Sequence, residues 1–207
     1  MTPETVGSIF LIKDRETLKV IADPLRAQIL DTLRVEPLTV KQVANRLGQV
    51  SSKLYYHFNL LEKYGFIRVV ETRQVSNMIE QTFQSVASKL DIAPALLSTA
   101  TDEGKDSVYE LVRSTLDATR EDILRSLPAR FFDLEKGAVQ NPRSVVLNRQ
   151  VCILTDECAV EFTERLHALI NEFDELQVPA GTPGAMHYGL AMAFYPSFYC
   201  EETKQND

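Results

Sequence analysis

A chain of 207 residues, 44% hydrophobic and 25% charged, has the composition of an ordinary globular protein with room for one large domain or two small ones. No apolar run approaches the roughly 20 residues needed to cross a bilayer. The opening MTPETVGSIFLIKDRE lacks the basic leader, long apolar stretch and cleavage site of a signal peptide, so a cytoplasmic protein is expected. The net charge of −7 argues against phosphate binding by the chain as a whole, but it is unevenly spread. Residues 1–90 carry 12 Lys and Arg against 9 Asp and Glu, whereas residues 91–207 carry 10 against 20. Any contact with nucleic acid is therefore expected in the first half. Three cysteines (Cys152, Cys158 and Cys200) are too few and odd in number for a disulfide framework, which fits a reducing compartment.

In chain order, Ile9–Ile12 have the character of a segment lying along a partner surface. Asp14 is suited to cap a short helix over Arg15–Ile21. Asp23-Pro24 pairs an N-cap with proline at the first helical position, and the helix it opens carries Leu25, Ile29, Leu30 and Leu33 and stops before Pro37. Thr39 caps a third helix whose stripe is Val40, Val43, Ala44 and Leu47, ended by Gly48. Ser51 is expected to cap a fourth, with Leu54, Phe58 and Leu61 at i, i+4 and i+7. After Gly65 the text turns β-branched over Phe66–Val70. It reverses around Gln74–Asn77 and returns over Met78–Ser85, with Ile79 and Phe83 expected to face inward.

Helix, turn, helix and hairpin in that order predict a winged helix-turn-helix within residues 1–90. If Leu54, Phe58 and Leu61 point into the core, Ser51, Ser52, Lys53, Tyr55, Tyr56 and Asn59 lie on or near the outer surface. There hydroxyls and a lysine can meet phosphates and base edges. Thr39 and Lys41, at the start of the third helix, join this candidate set. So do Arg73, Gln74, Ser76 and Asn77 at the hairpin tip. His57 has two readings, a phosphate contact or a half-buried ring bridging the fourth helix to its neighbour.

The segments Asp23-Pro24-Leu25-Arg26-Ala27-Gln28-Ile29-Leu30 and Leu54-Tyr55-Tyr56-His57-Phe58-Asn59-Leu60-Leu61-Glu62-Lys63-Tyr64-Gly65-Phe66-Ile67 carry a resemblance. The first resembles the DPTRRxIL opening of ArsR-like winged-helix regulators, and the second resembles their HLxxLxxxGLI recognition-helix signature with a paired tyrosine. The resemblance covers about residues 15–86. It implies a homodimeric transcriptional regulator on a roughly palindromic operator, with Ser51, Ser52, Lys53, Tyr55, Tyr56 and His57 facing DNA. The metal-sensing members place a CxC pair in the helix before the turn, where this chain reads Val40-Lys41-Gln42-Val43-Ala44-Asn45-Arg46-Leu47. That helix has no soft ligand.

Residues Val86 to Lys105 are short-segmented and polar, with Pro94 and Gly104 as punctuation, and read as a boundary. Beyond it, residues 105–207 are expected to form a C-terminal α+β region for dimerisation and effector sensing. The overall class is therefore α+β, mainly helical. A helix over Asp106–Ser126 would carry a broad stripe of Val108, Leu111, Val112, Thr115, Leu116, Thr119, Ile123 and Leu127, closed by Pro128. That stripe is wide enough to predict homodimerisation through it. Ser144–Leu154 read as strands. Thr155-Asp156 opens a helix with Phe162, Leu166, Leu169, Phe173 and Leu176 on one face, and Met186–Ser197 reads as a buried strand. The aromatics Phe131, Phe132, Phe162, Phe173, Tyr188, Phe194, Tyr195, Phe198 and Tyr199 are either core or the lining of a pocket for a small apolar effector, with core favoured.

Cys152 and Cys158 with His167 or His187 have zinc-ligating chemistry, but their spacing fits no usual zinc pattern, and buried free thiols are the expectation. No metal or other cofactor is implied. A phosphate-cradling glycine loop, a nucleophile elbow and a metalloprotease helix are all missing from the sequence, and the acidic pairs read as solvated helix ends. The reading is a non-enzymatic DNA-binding regulator, with repression the expected mode. The alternative is a winged helix used as a protein-interaction module without sequence-specific DNA binding.

Overall fold

The computed structural model describes residues 9–75, 78–98, 100–137 and 145–197. The elements run β1 (Ile9–Ile12), α1 (Arg15–Ile21), α2 (Pro24–Val35), β2 (Leu38–Thr39), α3 (Val40–Arg46), α4 (Ser51–Lys63), β3 (Ile67–Val75), β4 (Met78–Ser85), β5 (Lys89–Ile92), a 3-10 turn (Pro94–Leu97), α5 (Asp102–Glu135) and α6 (Asp156–Glu175). The chain divides into two compact units, Met1–Lys136 and Gly137–Asp207. Helix α5, read from the sequence as part of the second region, lies in the first unit.

Local capping chemistry accounts for most boundaries of the first unit. Asp14 accepts from the Thr17 amide at 2.8 Å to start α1, and Asp23 accepts from the Arg26 amide at 2.9 Å to start α2 with Pro24 behind it. Thr39 and Gln42 form a reciprocal capping box on α3. Gly48 and Gly65 take φ of 61° and 76°, left-handed exits that a side chain would strain. The fourth helix departs from expectation. Its N-cap is Val50, which offers no side-chain hydrogen bond, and Ser51 is the first helical residue.

The core gathers one stripe from each helix: Leu18, Ile29, Leu30 and Leu33, then Val43 and Ala44, then Leu54, Phe58 and Leu61. Phe66, Ile67 and Phe83 close it from the sheet. The sheet has the order β2-β4-β3, with β4 antiparallel to both neighbours, and Phe83 stands opposite Leu38 and Val69. Phe83 meets Phe58 edge-on at 5.0 Å between ring centroids. A register shift between Val69 and Glu71 bulges β3, and beyond it the hairpin projects past the core. Ile79 is consequently 74% exposed rather than inward-facing, although it shares the face of Phe83. Strand β3 also runs on to Val75, well beyond the expected end at Val70.

Strands β1 and β5 pair in parallel, Ile9 opposite Lys89 and Ile12 opposite Ile92, as a separate two-stranded sheet. It buries Ile12 completely and stacks Phe10 on Phe66 at 4.8 Å. This pairing was not foreseen for either segment.

Helix α5 is longer than expected at both ends and takes Pro128 inside it. Leu124, whose carbonyl loses its i+4 amide there, is exposed, so water can replace that bond. Only part of the expected apolar stripe packs: Val108, Leu111, Thr119, Ile123 and Leu127 are half-buried, whereas Val112, Thr115 and Leu116 are exposed. Gly104, Ser107, Ser114 and Ala118 are the fully buried positions, with Gly104 against the Ser98 backbone and the Ala118 carbonyl facing Gln28 of α2. Arg125 donates to Gln28 Oε1 at 2.8 Å, while Gln28 Nε2 donates to Glu121 at 3.1 Å and to the Ala118 carbonyl at 3.4 Å. Tyr109, Val112, Leu116, Leu124 and Phe131 remain exposed.

In the second unit, Thr155 caps α6 as expected, accepting from the Cys158 amide at 3.3 Å. The strands expected over Ser144–Leu154 and Met186–Ser197 are absent among the described residues 145–154 and 186–197, which are irregular and exposed. A strand needs a ladder neighbour to satisfy its backbone, and neither segment has one in the sheets described. The aromatics Phe131, Phe132, Phe162, Tyr188, Phe194 and Tyr195 are exposed rather than core, and Cys152 and Cys158 are exposed rather than buried. Phe198, Tyr199 and Cys200 lie outside the described residues.

Candidate nucleic-acid interface

Helix α4 is held from behind by Leu54, Phe58 and Leu61, none more than 1% exposed. Three fixed side chains on one face set the rotation of the helix, so its polar residues are presented outward without adjustment. Tyr55 and Tyr56 are 54% and 66% exposed, and Ser52, Lys53 and Asn59 are exposed beside them. Ser51 is half-buried. With Val50 supplying no cap, no side chain occupies the amides of the first turn of α4, a helix end of positive potential.

Thr39 and Lys41 stand at the start of α3. Thr39 is half-buried and committed to its capping box, whereas Lys41 is exposed. Lys41 and Lys53 make no ion pair among the described residues. They are available charges at the ends of the two helices of the motif.

His57 does not join the outward set. Its side chain is 18% exposed, with Nδ1 buried, without a hydrogen-bond partner among the described residues and 3.9 Å from Asp23 Oδ1 at the cap of α2. Tyr56 lies edge-on to it at 5.5 Å. Burial holds the imidazole below its ordinary pKa, with Asp23 opposing and Arg26 adding to the effect. Of the two sequence readings, the geometry matches the bridging ring.

The hairpin of β3 and β4 forms the wing. Arg73 is exposed, but its Nε donates to Glu71 at 2.7 Å, and Glu80 stands opposite it in the ladder. Arg68 lies near the base of the wing, opposite Gln84. Two arginines and two glutamates cancel over the described wing, which therefore adds shape and hydrogen-bonding groups rather than net charge. Gln74 is exposed near the tip, opposite Ile79. Ser76 and Asn77 lie outside the described residues. The sequence reading missed this internal neutralisation, for which the spacing Glu71-x-Arg73 along one strand face was a signal.

Residues 21–70 match the family described as "Helix-turn-helix domain". No curated protein matches the chain. Among solved structures, the homodimeric winged helix-turn-helix DNA-binding domain of a possible ArsR-family transcriptional regulator from Mycobacterium bovis aligns at 19% identity. The alignment covers 52% of this chain and 82% of that one, with a TM-score of 0.29. At that score the likeness adds nothing to the fold assignment, which rests on the element order and the family match. The element order and the family match together define a winged helix-turn-helix in the first unit. No helix among the described residues is long and apolar enough to cross a membrane.

Proposed function

We propose that the protein is a transcriptional regulator that binds a roughly palindromic DNA site as a homodimer and represses by occupying it. The observation that carries this reading is the outward face of α4. Ser52, Lys53, Tyr55, Tyr56 and Asn59 project from a helix whose opposite face is locked into the core. In the major groove, Tyr55, Tyr56 and Asn59 would meet base edges, and Lys53 and the uncapped first turn would meet phosphate. Gln74 and the wing tip would lie alongside. Dimerisation is assigned to the exposed stripe of α5, Tyr109, Val112 and Leu116, which recurs at helical spacing and lacks a partner within its own unit.

Selection of bound sequences from random DNA with the full chain tests the reading. The expected result is an enriched inverted repeat with half-site centres about one helical turn (~34 Å) apart. Absence of any enriched repeat removes the proposal. The neutral wing favours one rival, a winged helix that meets another protein through its exposed tyrosines. Salt separates the two. DNA affinity should fall steeply with ionic strength, and Lys53→Ala should lower the logarithmic salt slope by about 1.

A further inference from the structure

Within residues 145–197 the apolar surface has no interior to occupy. Val146 is 90% exposed, Ile153 is fully exposed, and α6 buries none of its residues. From Val145 to Tyr195 the exposed large apolar side chains sum to roughly 1,500 Å², against about 800 Å² per partner in a standard interface. A monomeric soluble protein rarely carries so much in one module.

The pattern of that surface is specific. Met186, Tyr188, Leu190, Met192 and Phe194 alternate with smaller or polar residues, the period of a strand with one apolar face. Val151, Ile153 and their neighbours supply β-branched residues on the other side of α6 in sequence. Phe194 lies 5.1 Å from Phe162, so the second segment touches the apolar arc of α6, on which Leu166 and Leu169 follow at helical spacing. Two strand-like segments flanking one amphipathic helix are the parts of a sheet-and-helix layer that one copy cannot close. An isolated pair of strands is marginal in water, and an unpaired apolar edge is a template for pairing.

We infer that residues 145–154 and 186–197 become strands of a sheet shared with a second copy of this chain, backed by α6. The occupant follows from area and charge. Self-association offers a matching apolar surface of the same size, as a two-fold interface requires. Glu157, Glu161, Glu164 and Glu175 fall on the opposite arc of α6, so two copies can join apolar faces while their acidic arcs stay in water. The inference rests on the proposed homodimer for its partner, but it concerns a different surface from the stripe of α5.

Amide hydrogen exchange on the full chain, read segment by segment over a range of protein concentrations with mass measured in parallel, tests it. In the dimer, residues 145–154 and 186–197 should exchange on the order of 100-fold more slowly than unstructured amides. Dilution to monomer should abolish that protection. Ile153→Glu, at a position that touches nothing within one copy, should abolish it too while leaving the protection of α4 and the wing unchanged. A dimer in which both segments exchange freely overturns this inference and leaves the homodimer standing. Protection that persists in a monomer overturns it as well, because the strands would then pair within one chain. A chain that stays monomeric with both segments unprotected removes this inference and the homodimer together.

Discussion

Single side chains in the first unit make commitments that can be measured. Burial lowers the pKa of His57 in the folded protein, with Asp23 opposing, so the unfolded chain takes up a proton more readily below about pH 6.5. Its contribution to stability is therefore complete above that value and is lost as pH falls toward the lowered folded pKa. Thermal unfolding should show Tm falling as pH drops below about 6.5, with a shallower fall in His57→Gln. Gly104 marks a different constraint. A Cβ at that position would sit 1.9 Å from the Ser98 carbonyl oxygen, a backbone atom that cannot swing away. Gly104→Ala should cost about 1–3 kcal/mol in denaturant unfolding, although alanine is the better helix former. The sequence marked Gly104 only as punctuation, because the clash depends on how the 3-10 turn folds back on α5.

Elements whose limits are set by their own residues were readable from the sequence. Asp23-Pro24, the Thr39–Gln42 box, Gly48 and Gly65 act within four residues of themselves, and the starts of α2 and α3 and the ends of α3 and α4 follow from them. The outward face of α4 was readable too, as the complement of Leu54, Phe58 and Leu61, while the direction of His57 depends on where α2 begins in space. Elements that depend on distant partners were not readable. Strand β1 pairs with β5 across the whole motif that lies between them in sequence. The strands expected near Val151 and Leu190 have the right pattern but no partner among the described residues. The unfilled cap of α4 offers a test at this scale. Val50 already has extended backbone angles, φ −84° and ψ 134°, so Val50→Asn can accept from the first turn without distortion. The variant should gain about 1 kcal/mol in unfolding free energy and bind DNA more weakly in a titration, because its side chain takes the amides proposed for phosphate. Higher stability with unchanged affinity would remove the helix end from the interface.

Across the whole chain, charge and apolar surface are divided between regions. The half that contains the winged helix is net basic and the remainder strongly acidic, so phosphate is attracted to one part only. Helix α5 fully buries only small residues and leaves Tyr109, Val112, Leu116, Leu124 and Phe131 outward, while Val108, Leu111, Ile123 and Leu127 of its expected stripe are half-buried. The sequence could register that apolar side chains recur along α5, but which arc packs within the unit is decided by close approach and by the Arg125–Gln28–Glu121 bonds. Leu116→Arg should leave the fold of a single copy intact, since that side chain is already exposed. It should halve the mass in sedimentation if α5 dimerises the chain, and a full-mass dimer would relocate the interface.

The parallel pairing of β1 with β5 ties together the segments that flank the winged motif in sequence, and this bears on the order of folding. The motif between them is built mainly from near-neighbour contacts and can assemble early, whereas the β1–β5 clasp must close a loop that encloses it. The clasp should therefore be the last part of the unit to form and the first to open. The Ala93 amide bonds to the Ile12 carbonyl at 2.9 Å, at the point where the chain leaves β5 for α5. An opened clasp would free the start of α5 while the reading helix stays folded, and a cut or deletion near Ile9 would be felt first at α5 rather than at the DNA-facing surface.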